Sequence, residues 1–499
     1  MKEKKNPNSS EFEAPIRRNG TLEYDVVSFE AVICSESGES MFEPDVTVTQ
    51  ENFENFIPRG DTATQTALKL QKLGFRILNV GTFSVSGEAS KKLWEDTFQT
   101  QVEKVSLPLS KDHPEIGERF FLSHVAGNPF KIPDELANFV ERAYPQRPPT
   151  FFESPLPPPL NYPHLDVPGD ISLILRADKV HREGITGNGV LVVMPDSGFF
   201  NHAFYQWRDY KYSRTISPDA IGVEFDAVGH GTAEAANIFS CAPDIEFLGI
   251  KMGINPTLAF KTAVELNPAI ITCSWGWSCK DALPNYLKPL ESEIIRAVNK
   301  LGITVIFAAG NGQYGFPGQM PQVISAGGVY AHRSVRNDDF KLEASNYASS
   351  FISNIYPGRT VPDICGLVGM MPRGIYISLP LQPKCYIDQG LSGGGFPDRD
   401  ETDPDDGWAV LSGTSAAAPQ IAGVCALLKQ TQPSLAPELI KKILCASARD
   451  VEEGESRMGD RAGIGFDSAT GPGLIDAYKA FRLARSIIVR STSTLPPPR

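Results

Sequence analysis

Five short, nearly continuous apolar runs constrain this chain more than any other feature. They are Val190–Met194, Ile245–Met252, Ala269–Thr272, Ile303–Ala308 and Val323–Ala326. A strand that is apolar along its length must bury both faces, which is the habit of parallel strands covered by helices on either side. Helix-length segments such as Leu290–Leu301 lie between several of the runs. The expected fold class is α/β, with a doubly wound, mostly parallel sheet spanning about 170–486. In such sheets the functional groups collect at the carboxyl ends of the strands, so those ends are where a site is to be sought.

Upstream the pattern is different. Residues 21–143 alternate strands with two helices. Tyr24–Cys34 and Gln101–Leu107 read as strands, and Phe75–Val85 as strand around a turn. Asp61–Leu73, stopped by Gly74, and Ala89–Phe98 read as helices. Ile132–Tyr144 reads as a further short helix with Pro133 in its first turn. This predicts a small α+β, ferredoxin-like unit. Eight of the twenty residues in Tyr144–Pro163 are proline. We expect a polyproline-type connector over 144–169, open to proteolytic nicking. The ends, 1–20 and 487–499, read as disordered tails.

Charge narrows the partners. The 499 residues carry a net −12, and residues 1–168 account for −8 of it, with 17 basic and 25 acidic side chains. A duplex-DNA or anionic-membrane binder would present a basic face, so neither nucleic acid nor membrane is an expected partner. The N-terminus has no apolar signal core, and no run of about 18 apolar residues occurs. The expected location is cytoplasmic, with secretion by another route left open. Eight cysteines without a CxxC pair then read as reduced thiols, although a Cys365–Cys385 disulfide stays open.

Four strand ends or helix starts carry chemistry. The run VLVVM ends at Pro195-Asp196-Ser197-Gly198, where Asp196 is either a turn or cap residue or a buried functional acid. Gly229-His230-Gly231-Thr232 opens a small-residue run, and flanking glycines allow close backbone approach around His230, which otherwise reads as a structural histidine. Ser412-Gly413-Thr414-Ser415 enters an apolar helix. A serine there is commonly a cap, but its small neighbours leave Ser415 uncovered at the positive end of the helix dipole. Ala308-Ala309-Gly310-Asn311-Gly312 ends another run, and Asn311 is either a turn residue or a donor to a developing oxyanion.

Together, in this order, these residues resemble the subtilisin-like serine proteases, or subtilases, over roughly Asp170–Ala484. The resemblance implies a catalytic triad of Asp196, His230 and Ser415 and an oxyanion donor in Asn311. Ser274-Trp275-Gly276 looks like the family's substrate-pairing strand. Gly315-Phe316-Pro317-Gly318 looks like the wall of its specificity pocket, with a cis bond before Pro317. Lacking a side chain, Gly315 would leave that pocket open to a large apolar residue. Two departures stand out. Ala233 replaces the family's usual second histidine, and 381–407 looks like an insertion. The chemistry requires no cofactor. The family's calcium loops are not recognisable, so a structural calcium stays open.

KLQKLGFRILNVGTFSVSGEASKKLWEDTFQTQVEKV, with the later IPDELANFVERAY, resembles the propeptides of the sedolisins. The alternative is an unrelated binding domain. The acidic run Pro397–Asp406 reads as a solvated loop, a calcium loop, or a selector of basic substrates. The expectation is a serine endopeptidase acting on peptides or proteins, with its own N-terminal domain as inhibitor and folding aid. A cyclising or peptide-maturing transpeptidase on the same triad is the alternative. A catalytically silent binding scaffold is the remote one.

Overall fold

The computed structural model describes residues 26–108, 118–151, 164–332, 341–371, 376–393 and 399–493. The expected tail at 1–20, the middle of the proline-rich connector (152–163) and the last residues, 494–499, lie outside the described residues.

The N-terminal unit follows β1 (Val26–Ile33), α1 (Thr62–Lys72), β2 (Arg76–Val80), β3 (Ser84–Ser90), α2 (Lys91–Phe98), β4 (Val102–Pro108), β5 (Glu118–His124) and β6 (Val140–Pro145). Its four-stranded sheet has the order β2-β3-β1-β6, antiparallel throughout. That is the ferredoxin-like βαββαβ arrangement, with the hairpin β4–β5 inserted before the closing strand. The expected helix over Ile132–Tyr144 is not formed: the chain turns and then enters β6. Pairing of Ala31 with Ala143 and Glu30 with Tyr144 completes the edge of β1, and this tertiary pairing overrides the local spacing.

β1 is buried on both faces. Val27, Phe29, Ala31 and Ile33 join Leu70, Trp94 and Phe98 in the unit's own core. On the opposite face, Val32 joins Phe53, Phe56 and Phe83 in the core of the large domain. There Glu30 also meets Lys261.

The connector supplies β7 (Thr150–Phe151) and β8 (Leu165–Asp166), and the large domain begins with α3 (Gly169–Ile174), α4 (Ala177–His181), β9 (Leu191–Asp196), α5 (Ala203–Trp207), β10 (Tyr212–Ile216), α6 (His230–Cys241) and β11 (Glu246–Lys251). It continues with α7 (Pro256–Glu265), β12 (Ile270–Cys273), β13 (Trp275–Ser278), α8 (Lys288–Asn299), β14 (Thr304–Ala308), β15 (Gly315–Phe316), β16 (Ile324–His332) and β17 (Lys341–Ala344). The last elements are β18 (Phe351–Ile352), β19 (Thr360–Val361), β20 (Ile364–Leu367), β21 (Ile377–Pro380), α9 (Tyr386–Leu391), β22 (Trp408–Leu411), α10 (Thr414–Thr431), α11 (Pro437–Ser447) and α12 (Ala477–Ser493).

The central sheet has the order β10-β11-β9-β12-β14-β16-β17, with β20 also on β16. All pairs are parallel except β16–β17. The five apolar runs are five adjacent strands of this sheet, β11-β9-β12-β14-β16. α10 packs on α6 and crosses β12, β14, β16 and β20. This is a doubly wound α/β fold preceded by a small α+β unit.

Two expectations need correction, and the open question of a disulfide is answered in favour of the reduced thiols expected. The connector is not uniformly polyproline: Thr150–Phe151 pair with β13 and Leu165–Asp166 with β21. α12 runs to Ser493, into the segment read as a tail. Cys365 and Cys385 are both free and lie on separate elements, as are the other six thiols. No helix among the described residues is long and apolar enough to cross a membrane.

Candidate active site

β9 ends on Asp196, which has no solvent exposure, and the start of α6 lies against it. His230, the first residue of α6, is equally buried. Its Nδ1 lies 2.7 Å from Asp196 Oδ1. A carboxylate can only accept, so Nδ1 carries the proton. Ser197 N donates to the same oxygen at 2.7 Å. Gly231 makes this approach feasible, since a Cβ there would collide with the Gly198 carbonyl and crowd Asp196. The other deeply buried histidine, His202, behaves differently. It caps α5 through Nδ1, and burial pushes its pKa down to about 4, so it stays neutral.

Ser415 is the second residue of α10, where first-turn amides have no acceptor within the helix. Its Oγ donates to Ser274 O at 3.2 Å. In return, Ser274 Oγ donates to Ser415 O at 2.8 Å. That carbonyl would ordinarily accept from residue 419. Pro419 has no N–H, so a side chain from the β12–β13 junction takes its place.

Asn311 follows β14 and is anchored to the same helix start. Its Oδ1 accepts from Thr414 N at 3.0 Å and Thr414 Oγ1 at 3.1 Å. Its Nδ2 is a buried donor without a hydrogen-bond partner among the described residues. An unmade hydrogen bond of this kind is costly unless something else uses the donor.

The strand after Ser274 is β13. Trp275 is fully buried and donates from Nε1 to Pro195 O at 2.7 Å, tying β13 to the end of β9. One edge of β13 pairs with β15 and the other with β7, both antiparallel. On the β7 side, Gly276 lies opposite Thr150 and Trp275 opposite Phe151. Gly315 has a reason for its missing side chain other than an open pocket: a Cβ would strike the Ala309 carbonyl. The Phe316–Pro317 bond is cis.

Two carboxylates of the acidic loop are taken up by local donors, and Asp405 lies near Lys384. Asp400 accepts from Thr402 N at 3.0 Å, Thr402 Oγ1 at 2.7 Å and Val410 N at 3.1 Å, and Asp406 accepts from Asp403 N and Trp408 N. Among the described residues, no cluster of three or more His, Cys, Asp or Glu is arranged to hold a metal.

Two buried acids near the site escaped the reading of the sequence. Asp226 accepts from Ser197 Oγ (2.8 Å), Gly229 N (2.9 Å), Thr232 N (2.9 Å) and Thr232 Oγ1 (2.6 Å), which fixes the turn into α6. Glu234 lies one helical turn after His230 with no exposure. A lone charge inside the small, apolar helix sequence AEAANIF was the available signal for it.

Comparison with known proteins bears on this arrangement. The profile of the subtilase family matches residues 219–471, a span that starts downstream of Asp196. Serine protease AprX of Bacillus subtilis (strain 168) is 26% identical over 305 residues, which is 54% of this chain and 64% of that protein. Subtilisin Savinase of Lederbergia lenta is 22% identical over 330 residues, 63% of this chain and 99% of the relative. Among solved structures, fervidolysin from Fervidobacterium pennivorans, a keratinolytic enzyme related to subtilisin, aligns with a TM-score of 0.53 at 15% identity. That alignment covers 94% of this chain and 62% of fervidolysin, and the likeness is one of fold. The chain thus spans under two thirds of the length of AprX and of fervidolysin.

Proposed function

The chain belongs to the subtilase family, and from that premise we propose that it is a serine endopeptidase that hydrolyses peptide bonds of peptide or protein substrates and is held in check by its own N-terminal unit. The observation that carries the reading is the buried pair His230–Asp196 at 2.7 Å, in a chain whose nucleophile candidate opens the helix packed against α6.

A serine hydroxyl is a weak nucleophile and needs a neighbouring base. His230 takes the Ser415 proton as Ser415 attacks the carbonyl carbon, and later delivers it to the leaving amine. Asp196 holds the Nδ1–H tautomer and stabilises the imidazolium. The Asn311 amide and the Ser415 N–H receive the oxyanion of the tetrahedral intermediate. Water then resolves the acyl-enzyme. Resolution by an amine would make the same site a transpeptidase, and no contact described above favours that outcome.

Restraint by the N-terminal unit is supported by two features. Asp196, His230 and Ser415 have no solvent exposure. β7 also occupies the edge of β13 that an extended substrate would use, in a register running toward Ser274, the residue bonded to Ser415. Self-cleavage is therefore expected within a residue or two after Phe151.

The test is intact mass of wild type and Ser415→Ala expressed side by side. Wild type should split, with a new N-terminus at or near Glu153, and the variant should stay whole. Cleavage of both alike would remove Ser415 from its role. If both stay whole, an activated-serine probe that still labels wild type at Ser415 would keep the enzyme and discard the self-processing.

A further inference from the structure

Glu234 is the buried group that the chemistry above leaves without a task. Its Oε1 lies 4.0 Å from His230 Nε2. Its Oε2 accepts from Asn237 Nδ2 at 3.0 Å. Asn237 Oδ1 accepts from Gln420 Nε2 at 3.0 Å, and Gln420, on α10, is itself clamped to the backbone of Leu367 through Oε1 (2.7 Å) and Nε2 (3.1 Å). A buried polar chain thus runs from the helix that carries the imidazole to the helix that carries the nucleophile. An apolar residue would pack at position 234 without the desolvation cost of a carboxylate, so the charge needs a use.

We propose that Glu234 is a second carboxylate partner of His230, a positioning residue whose charge, set 4.0 Å from Nε2, favours the imidazolium formed when Ser415 gives up its proton. The proposal rests on the triad reading. Asp196 and Cys273 face this region from the sheet, and Asp226 from the turn before α6. Tyr205 and Tyr212 face it from α5 and β10, and Cys385 from the start of α9. All of these are acids. Burial raises these thiols and both tyrosines above their usual values.

The test is the pH dependence of kcat/KM in Glu234→Gln. The substitution keeps an acceptor for Asn237 and removes the charge. A negative charge near the ring raises its proton affinity, so its loss moves the acid limb to lower pH, by roughly one unit. The plateau above that limb falls several-fold as the base weakens. Glu234→Asp should recover part of the shift. An acid limb that stays in place in Glu234→Gln overturns the proposal, whatever happens to stability. Should that variant fail to fold, Asn237→Ala, which frees the carboxylate from its anchor, must move the limb in the same direction. An unmoved limb there is equally fatal. His230→Ala in the same assay separates the two ideas: activity that survives it sinks the triad reading, independently of Glu234.

Discussion

Glu30 and Asp196 are both carboxylates with no solvent exposure, and the molecule treats them in opposite ways. Glu30, where the N-terminal sheet meets α7, is saturated. Its Oε2 receives Lys261 Nζ at 2.6 Å and Ser84 Oγ at 2.6 Å, and its Oε1 receives Asn255 Nδ2 at 2.9 Å. Lys261 is satisfied in turn by Ser84 Oγ and Ser86 Oγ. At the end of β9, Asp196 has no such cation. One oxygen serves His230 and Ser197, and the other has no hydrogen-bond partner among the described residues. A buried charge paired with a fixed cation is a fastening. A buried charge whose main partner can gain and lose a proton is set up for chemistry. The difference separates holding from reacting, and it can be broken at either end.

The largest effect belongs to the reacting end. Ser415→Ala should lower kcat by about 10⁶, the loss recorded when a subtilisin loses its nucleophile, with the melting temperature almost unchanged. A stable variant that retains activity would dissolve the contrast. Next comes the holding end. Lys261→Ala leaves Glu30 buried and uncompensated and should cost about 3–5 kcal/mol of stability, read by denaturant titration of the whole chain. Replacing both partners with apolar residues should cost much less, because no orphaned charge remains. Per-molecule activity of the released catalytic unit should not change in either variant.

Asn311→Ala should reduce kcat by about 10²–10³ with KM preserved, a magnitude taken from the equivalent asparagine in a subtilisin. Circular dichroism should find the fold intact. The smallest effect tests an intermediate case. Glu291 is buried, accepts from the Tyr356 hydroxyl, and is pushed up to about 7 by burial. Its folded-state pKa lies above its unfolded value, so the folded protein binds the extra proton. Stability then declines as pH rises from about 4.5 to about 7, and the full penalty stands above that. Glu291→Gln should flatten the decline and gain about 1–3 kcal/mol at pH 8, seen as a raised melting temperature.

The sheet was legible because its strands are buried on both faces, so each apolar run announced itself without reference to a partner. α1 was legible for a local reason too, the stop at Gly74. β6 was not, because Ile132–Tyr144 carries helix-compatible spacing and becomes a strand only against the edge of β1. The strand character of Thr150–Phe151 likewise exists only through β13. At the candidate site, the placement of Asp196, His230, Asn311 and Ser415 was readable because each sits where an element begins or ends. The contacts of Asp226 and Glu234 depend on neighbours brought close by folding: Ser197 for the first, and Asn237 with Gln420 for the second. Gly315 was read as an open wall, and its Cβ position is blocked by the Ala309 carbonyl, a contact that spacing along a chain cannot express.

The brevity of β7 has a consequence for how restraint would end. A strand of two residues is a poor ligand on its own, and it stays seated because the same chain delivers it. Tethering by a short linker supplies a local concentration on the order of millimolar that dilution does not touch. Once the connector is cut, occupancy of the cleft becomes a two-body equilibrium carried by the distant Glu30–Lys261 face. A cut sample would then wake on dilution and fall quiet again on concentration, whereas an uncut one would ignore volume altogether.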